Sequence, residues 1–291
     1  ELVPPVTFDA RTQAWLSDTA SIRVAFWGQA VPPLYMGFEP NEFEGVTADV
    51  LGLLQQSLGK PVRMLRYRDR NDALQAMAKS EVDMLAFSDV SADEHPLVMS
   101  SSPYLMNRTV MLGRVNAAGK PKIDLSGERL AYTVISDLHT LQLQAHFPLS
   151  TLVPYTNPLN AIAGLAYDQA DAFYTDAVTA AFLTARFYRN DVYIADDTGP
   201  PKVTNLNFAV SVRQPQLLDA INHSLAEIPV ASMLRITSRW GLRDDFVFAR
   251  TSQTLSPKQT AWVAAHPRLK VAVPNALAPL TFFDEKDQFK G

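Results

Sequence analysis

The sequence contains no cysteine, which excludes disulfides, thiolate nucleophiles and cysteine-ligated zinc. No apolar run reaches the length needed to cross a bilayer. No long basic run is present either, and a formal charge of only −4 makes nucleic acid a poor partner. Gly-rich phosphate loops, HExxH and GxSxG are all missing. The five histidines (95, 139, 146, 223 and 266) are scattered, and no carboxylate joins His139 and His146 at metal spacing. No metal, cofactor or catalytic residue is therefore expected. The opening ELVPPV lacks the basic and apolar regions of a signal peptide, which fits a processed chain or a cytoplasmic one.

What is present begins with a repeat. Ser21 to Gly45 reads SIRVAFWGQAVPPLYMGFEPNEFEG, and Arg268 to Gly291 reads RLKVAVPNALAPLTFFDEKDQFKG. Ile22 falls on Leu269, Val24 on Val271, Pro32 on Pro279 and Tyr35 on Phe282 at one offset, which also pairs Trp15 with Trp262. A domain-sized period indicates tandem structural units. The chain ends as the second copy opens. Its first strand, Leu269 to Val273, is expected to pack on the first domain or to pair with another molecule.

Between the copies, strand and helix patterns alternate. Ile22 to Trp27 is a β-type run ended by Gly28, and Val46 to Leu58 is helical with a stop at Gly59. Pro61 to Tyr67 is a strand, Asn71 or Asp72 caps a helix over ALQAMAKS, and Val82 to Phe87 is a buried strand. This is the pattern of a parallel α/β sheet. A second echo aligns ALQAMAKSEVDMLAFS from Ala73 with AIAGLAYDQADAFYTD from Ala161, pairing Asp83 with Asp171 and Ser88 with Asp176. Two half-domains of like design follow. In such sheets the crevice lies outside the carboxyl ends of the strands, where Ser88 and Asp176 end theirs. Asp176 reads equally well as the N-cap of the helix AVTAAFLTARF, and Ser88 as a cap of the segment after it.

Asn107 to Val115 reads as an extended connector leaving the first lobe, and Pro200 to Val212 as the return. Two crossings make a hinge. Arg108, Thr109, Val203 and Thr204 are its candidate residues. Between Val115 and Pro200 five basic residues stand against nine acidic ones, so this stretch sums to −4, the formal charge of the whole chain. An acidic cleft wall prefers cationic or amine-bearing ligands; a solvated acidic surface is the plainer reading.

Four segments together resemble the periplasmic solute-binding family of the amino-acid-binding type (family 3). They are RVAFW…PPLYM with EGVTADVLGLL; ALQAMAKSEVDMLAFSDVSADEH with SSPYL; GERLAYTVIS…ADAFYTD; and QLLDAIN…LRITSRWG. LSPKQTAWVAAHPRLKVAV, ahead of the second copy, resembles the junction between tandem domains of BvgS/EvgS-type hybrid sensor histidine kinases. The resemblance implies a two-lobed α/β Venus flytrap with two hinge crossings. It divides the chain into an N-terminal helical segment (1–20), lobe 1 (21–108), lobe 2 (109–205), a return to lobe 1 (206–250), a linker helix (251–268) and the start of a second flytrap domain (269–291).

The same resemblance implies a periplasmic, non-catalytic sensing module of an inner-membrane receptor, homodimeric when complete, whose kinase and membrane helix lie beyond this chain. Its partners are a small-molecule ligand and the second flytrap domain. The alternatives are a free receptor of an ABC transporter and, more remotely, a flytrap-fold dehydratase. Asp176 matches the family's ammonium-binding aspartate. His95 stands where an arginine clamps the ligand carboxylate, and an imidazole cannot offer the guanidinium fork. Val31 occupies the slot of a stacking aromatic, with Trp27 and Tyr35 near enough in sequence to substitute. Ser136 is kept at the family's anion nest, but Asp137 puts a carboxylate beside it.

Overall fold

The computed structural model describes residues 6–28, 30–36, 42–87, 95–115, 125–134, 137–195, 205–243 and 246–247. In the C-terminal segment it describes residues 262, 265, 276–277, 281–283 and 289–290. The chain divides into two compact units, Glu1–Ala249 and Arg250–Gly291. Among the described residues no helix is long and apolar enough to cross a membrane.

The first unit opens with α1 (Ala10–Asp18), capped by Asp9, whose carboxylate accepts the Thr12 N–H at 2.8 Å. Lobe 1 then runs β1 (Ile22–Trp27), α2 (Val46–Leu58), β2 (Val62–Tyr67), α3 (Arg70–Ala78), β3 (Met84–Leu85) and β4 (Val98–Ser100). Lobe 2 follows as β5 (Thr109–Arg114), β6 (Arg129–Thr133), α4 (Asp137–His146), β7 (Thr151–Tyr155), α5 (Pro158–Ala166), β8 (Ala172–Asp176), α6 (Ala177–Arg186) and β9 (Val192–Ala195). The chain returns to lobe 1 through β10 (Ala209–Ser211), α7 (Pro215–Glu227) and α8 (Val230–Arg239).

The two sheets share one plan. Lobe 1 is ordered β2-β1-β3-β10-β4 and lobe 2 β7-β6-β8-β5-β9. In each, three parallel strands are followed by one antiparallel strand that the chain reaches by crossing from the other lobe. Pro154 is tolerated because β7 is an edge strand, which needs only half of its ladder.

The internal echo becomes a pair of matching clamps. The Asp83 carboxylate accepts the Arg23 backbone N–H at 2.8 Å and its guanidinium at 3.0 and 2.6 Å. In lobe 2, Asp171 accepts the same three donors of Arg129 at 2.8, 3.0 and 2.7 Å. Each pair ties the start of a central strand to the start of its parallel neighbour. Both therefore lie at the amino ends of the strands, away from any crevice.

Asp171 also yields a pH prediction. The hydrogen bond from Arg129 holds its carboxyl below the ordinary value of 3.8. Stability contributed by the ionised form is complete above that value and is lost as pH falls through the lowered folded-state one. The stability gap between the wild type and Asp171→Asn should stay constant from pH 7 to about 5 and close below about pH 4. Urea midpoints across that range measure it. A gap that persists undiminished into acid contradicts the assignment.

Two local expectations are corrected. The cap of α3 is Asp69, whose carboxylate accepts the Asp72 N–H at 2.9 Å, and not Asn71 or Asp72. Asp72 sits at the third helical position, where its own N–H is the donor in need of a partner. The strand expected over Val82 to Phe87 is regular only at Met84 and Leu85, although backbone bonds continue on both sides, from the Asp83 N–H to the Arg23 carbonyl at 2.9 Å and from the Ala86 N–H to the Ala25 carbonyl at 2.8 Å. Residues 107–115, read as a connector, contain a central strand of lobe 2 in β5.

In the second unit, β11 (Ala276–Leu277), β12 (Thr281–Phe283) and β13 (Phe289–Lys290) form a three-stranded antiparallel sheet. The corresponding loop of the first copy makes antiparallel bridges at Val31–Tyr35 and Met36–Glu44. The repeat is thus legible in backbone pairing as well as in sequence. The strand expected at Leu269–Val273 lies outside the described residues.

Candidate functional site: an interlobe cleft

The strand registers locate the cleft. β5 starts at Thr109, opposite Asp176 at the carboxyl end of β8. β10 starts at Ala209, opposite Leu85 at the carboxyl end of β3. The chain therefore crosses between lobes where the carboxyl ends of both sets of parallel strands meet, and ligands of open α/β sheets bind at those ends.

The crossings themselves are paired. Leu105 bridges Leu206, with the Leu206 N–H donating to the Leu105 carbonyl at 2.9 Å. Asn107, buried at 7% exposure, is the busiest side chain here. Its backbone N–H donates to Asn205 Oδ1 at 3.0 Å, and its Nδ2 to Asp176 Oδ1 at 3.0 Å. Its own Oδ1 accepts the N–H groups of Arg108 at 3.0 Å and Val178 at 3.2 Å. The Arg108 carbonyl takes the Ala177 N–H at 2.8 Å, and Asp176 Oδ1 takes the Thr179 N–H at 2.9 Å. The first three amides of α6 are thus all satisfied by hinge residues and the cap.

Asp176 is accordingly an N-cap, yet a half-buried one whose two hydrogen bonds both reach Oδ1. Its Oδ2 has no hydrogen-bond partner among the described residues. One carboxylate oxygen thus anchors both the helix and the hinge. Of the hinge candidates, Arg108 and Thr109 sit at this junction, while Val203 and Thr204 lie outside the described residues.

On the lobe 1 side, the carboxyl ends of β1 and β3 carry an aromatic cluster. Tyr35 stacks between Phe43 and Phe87, with centroids at 5.8 and 5.3 Å. Trp27 packs on Phe87 at 4.6 Å. Tyr35 is only 3% exposed and donates its hydroxyl to the Trp27 carbonyl at 2.7 Å. Burial pushes that hydroxyl above the ordinary phenol range, so it stays protonated. Tyr35 supports the wall; the partly exposed aromatic surface belongs to Trp27, Phe43 and Phe87. His95 lies in the turn before β4 and accepts the Leu97 N–H on Nδ1 at 3.3 Å. Ser88 and Ser136 lie outside the described residues.

A cavity of about 360 Å³ elsewhere in lobe 1 is lined by Phe8, Leu16, Leu58 and Lys60. It sits at the C-terminal end of α2, hence at the amino ends of the strands, and is not part of the cleft. Among the described residues no group of His, Asp and Glu has the arrangement of a metal site.

The family of bacterial extracellular solute-binding proteins, family 3, matches residues 22–243. The chain belongs to that family. As a family 3 domain it has the two-lobed Venus flytrap fold. It is 29% identical over 98% of its length to the virulence sensor protein BvgS of Bordetella pertussis, and 19% identical over 99% to the sensor protein EvgS of Escherichia coli K12. It spans 23% and 24% of those two proteins. The crystal structure of the B. pertussis BvgS periplasmic domain matches all of this chain over 56% of its own, with a TM-score of 0.73 and 29% identity. The VFT2 domain of BvgS matches 81% of this chain with a TM-score of 0.69 and 26% identity. The GluR0 ligand-binding core of Nostoc punctiforme, in complex with L-glutamate, shares the fold at a TM-score of 0.62 and 18% identity.

The sequence pattern marks Asp176 but not Asn107, which reads only as the first residue of the connector leaving lobe 1. The partners of Asn107 at Asp176 and Asn205 are 69 and 98 residues away, so no local pattern announces its role. Phe87 reads in sequence only as the end of a strand, and nothing local announces its stacking on Tyr35.

Proposed function

We propose that this chain is the ligand-sensing module of a periplasmic, membrane-anchored two-component sensor kinase. A small solute bearing an amine occupies the cleft between Asp176 and the Trp27–Phe87 surface. Binding shifts the balance of open and closed lobes, and residues 250–291, the start of a second flytrap domain, carry the change toward a kinase elsewhere in the receptor. The observation that carries this reading is the likeness to BvgS, which extends past the family 3 domain to the whole of this chain. A free transport receptor needs no second copy of the opening stretch, and that copy favours the tandem sensor.

The ligand class follows from chemistry on both walls. A half-buried carboxylate with one unengaged oxygen attracts a cation, and an aromatic face attracts the same charge through its quadrupole. His95, where the family's arginine stands, offers no guanidinium fork, so a free carboxylate on the ligand has less to hold it. Propylammonium and other simple amines should raise the melting temperature of the chain, succinate and glucose should not, and Asp176→Asn should abolish the response. Equal responses to anions, or an undiminished response in Asp176→Asn, contradict the assignment.

A further inference from the structure

The same junction indicates how occupancy of the cleft reaches the hinge. We infer that Asn107 is the positioning residue that couples the charge of Asp176 to the interlobe angle. This rests on reading the chain as a two-lobed sensor, but its test requires no ligand.

Asn107 bonds to each part of the junction: the first crossing carries it, its backbone N–H donates to Asn205 on the second crossing, and its side chain accepts from α6 and donates to Asp176. The last of these bonds is charge-assisted and owes its strength to the full negative charge on the carboxylate. A cation at Oδ2 draws that charge toward itself and weakens the bond from Asn107 to Oδ1. The amide then holds the crossing less firmly, at the point where Leu105–Leu206 pairing gives way to the strands of lobe 2. Coupling of this kind is reciprocal, so a change at Asn107 also alters the cation affinity of Asp176.

Two substitutions separate charge from shape. Asp176→Asn removes the charge while the amide oxygen can still accept both the Asn107 Nδ2 and the Thr179 N–H, and Asn caps helices as well as Asp does. Asn107→Asp keeps an oxygen for the amides of Arg108 and Val178 but sets two carboxylates against each other at the position of a 3.0 Å hydrogen bond.

Spin labels read the hinge directly, because the sequence has no cysteine to compete with Gln56→Cys on lobe 1 and Gln142→Cys on lobe 2. Both glutamines are exposed. Without ligand, Asn107→Asp should change the ratio of the two interlobe distance populations by about fivefold. Asp176→Asn, which keeps the cap but offers a neutral acceptor, should broaden the distribution. A wild-type distribution in Asn107→Asp overturns the proposal and leaves Asn107 a structural cap. Should Asn107→Asp fail to fold, Asp176→Asn decides, and a wild-type distribution there overturns the coupling. Propylammonium titration of the same proteins reads the ligand assignment separately, since Asp176→Asn should lose binding whatever its distance distribution.

Discussion

Replacing Asp83 with alanine should destabilise the chain by about 3 kcal/mol, among the largest effects of any single polar substitution in lobe 1. The carboxylate is 8% exposed, and it accepts the Arg23 backbone N–H, two guanidinium nitrogens and the Gln214 amide at 3.4 Å. Its removal strands the Arg23 N–H at the start of β1 and leaves a guanidinium that is only 36% exposed to recover its hydration. The symmetric change in lobe 2 is expected to cost less. Asp171 is 24% exposed, and Arg129 keeps a second carboxylate, Asp168, at 2.9 Å. Urea unfolding of Asp83→Ala and Asp171→Ala measures both. Equal losses would show that the exposure difference between the clamps does not matter.

Gly45→Ala is expected to cost about 3 kcal/mol, because two independent penalties coincide. Gly45 has φ of 126° and ψ of −177°, a region reserved for glycine, and a Cβ there would collide with the carbonyl oxygens of Leu34 and Pro33. Those same carbonyls accept the first amides of α2, from Val46 to Pro33 at 2.9 Å and from Thr47 to Leu34 at 3.0 Å. The loop and the helix start cannot separate to make room without breaking these bonds. Gly52, in the same helix with open space around it, is the control: alanine there should be neutral or slightly stabilising. Thermal melts of both variants test the pair. A Gly45→Ala protein as stable as Gly52→Ala would contradict the placement of the loop.

The fold was legible because its signals are local and repeated. Apolar runs ending at Gly28 and Gly59 marked β1 and α2. The echo from Ala73 to Ala161 announced two sheets of one design, and Asp83 and Asp171 turn out to perform one task in both. The site was less legible. Asp176 was recognisable from its place before a helix, but whether its carboxylate serves the helix or the cleft depends on which oxygen is engaged, and spacing carries no such information. Tyr35 looked like an available aromatic. It is instead consumed by stacking on Phe43 and Phe87 and by a bond to the Trp27 carbonyl, contacts fixed by how the loop after β1 folds back. Asn107 was hidden for the same reason, since its meaning lies in partners contributed by the other lobe and the other crossing.

The proposed cleft sets the Trp27–Phe87 aromatic surface against the Asp176 carboxylate, whose Oδ1 is bonded to Asn107 at the hinge. Calorimetric titration of the wild type and Asp176→Asn with the amine giving the largest thermal shift tests this most directly. The account predicts saturable binding of one amine per wild-type chain and no measurable binding to the variant. Binding of equal affinity to both would contradict it.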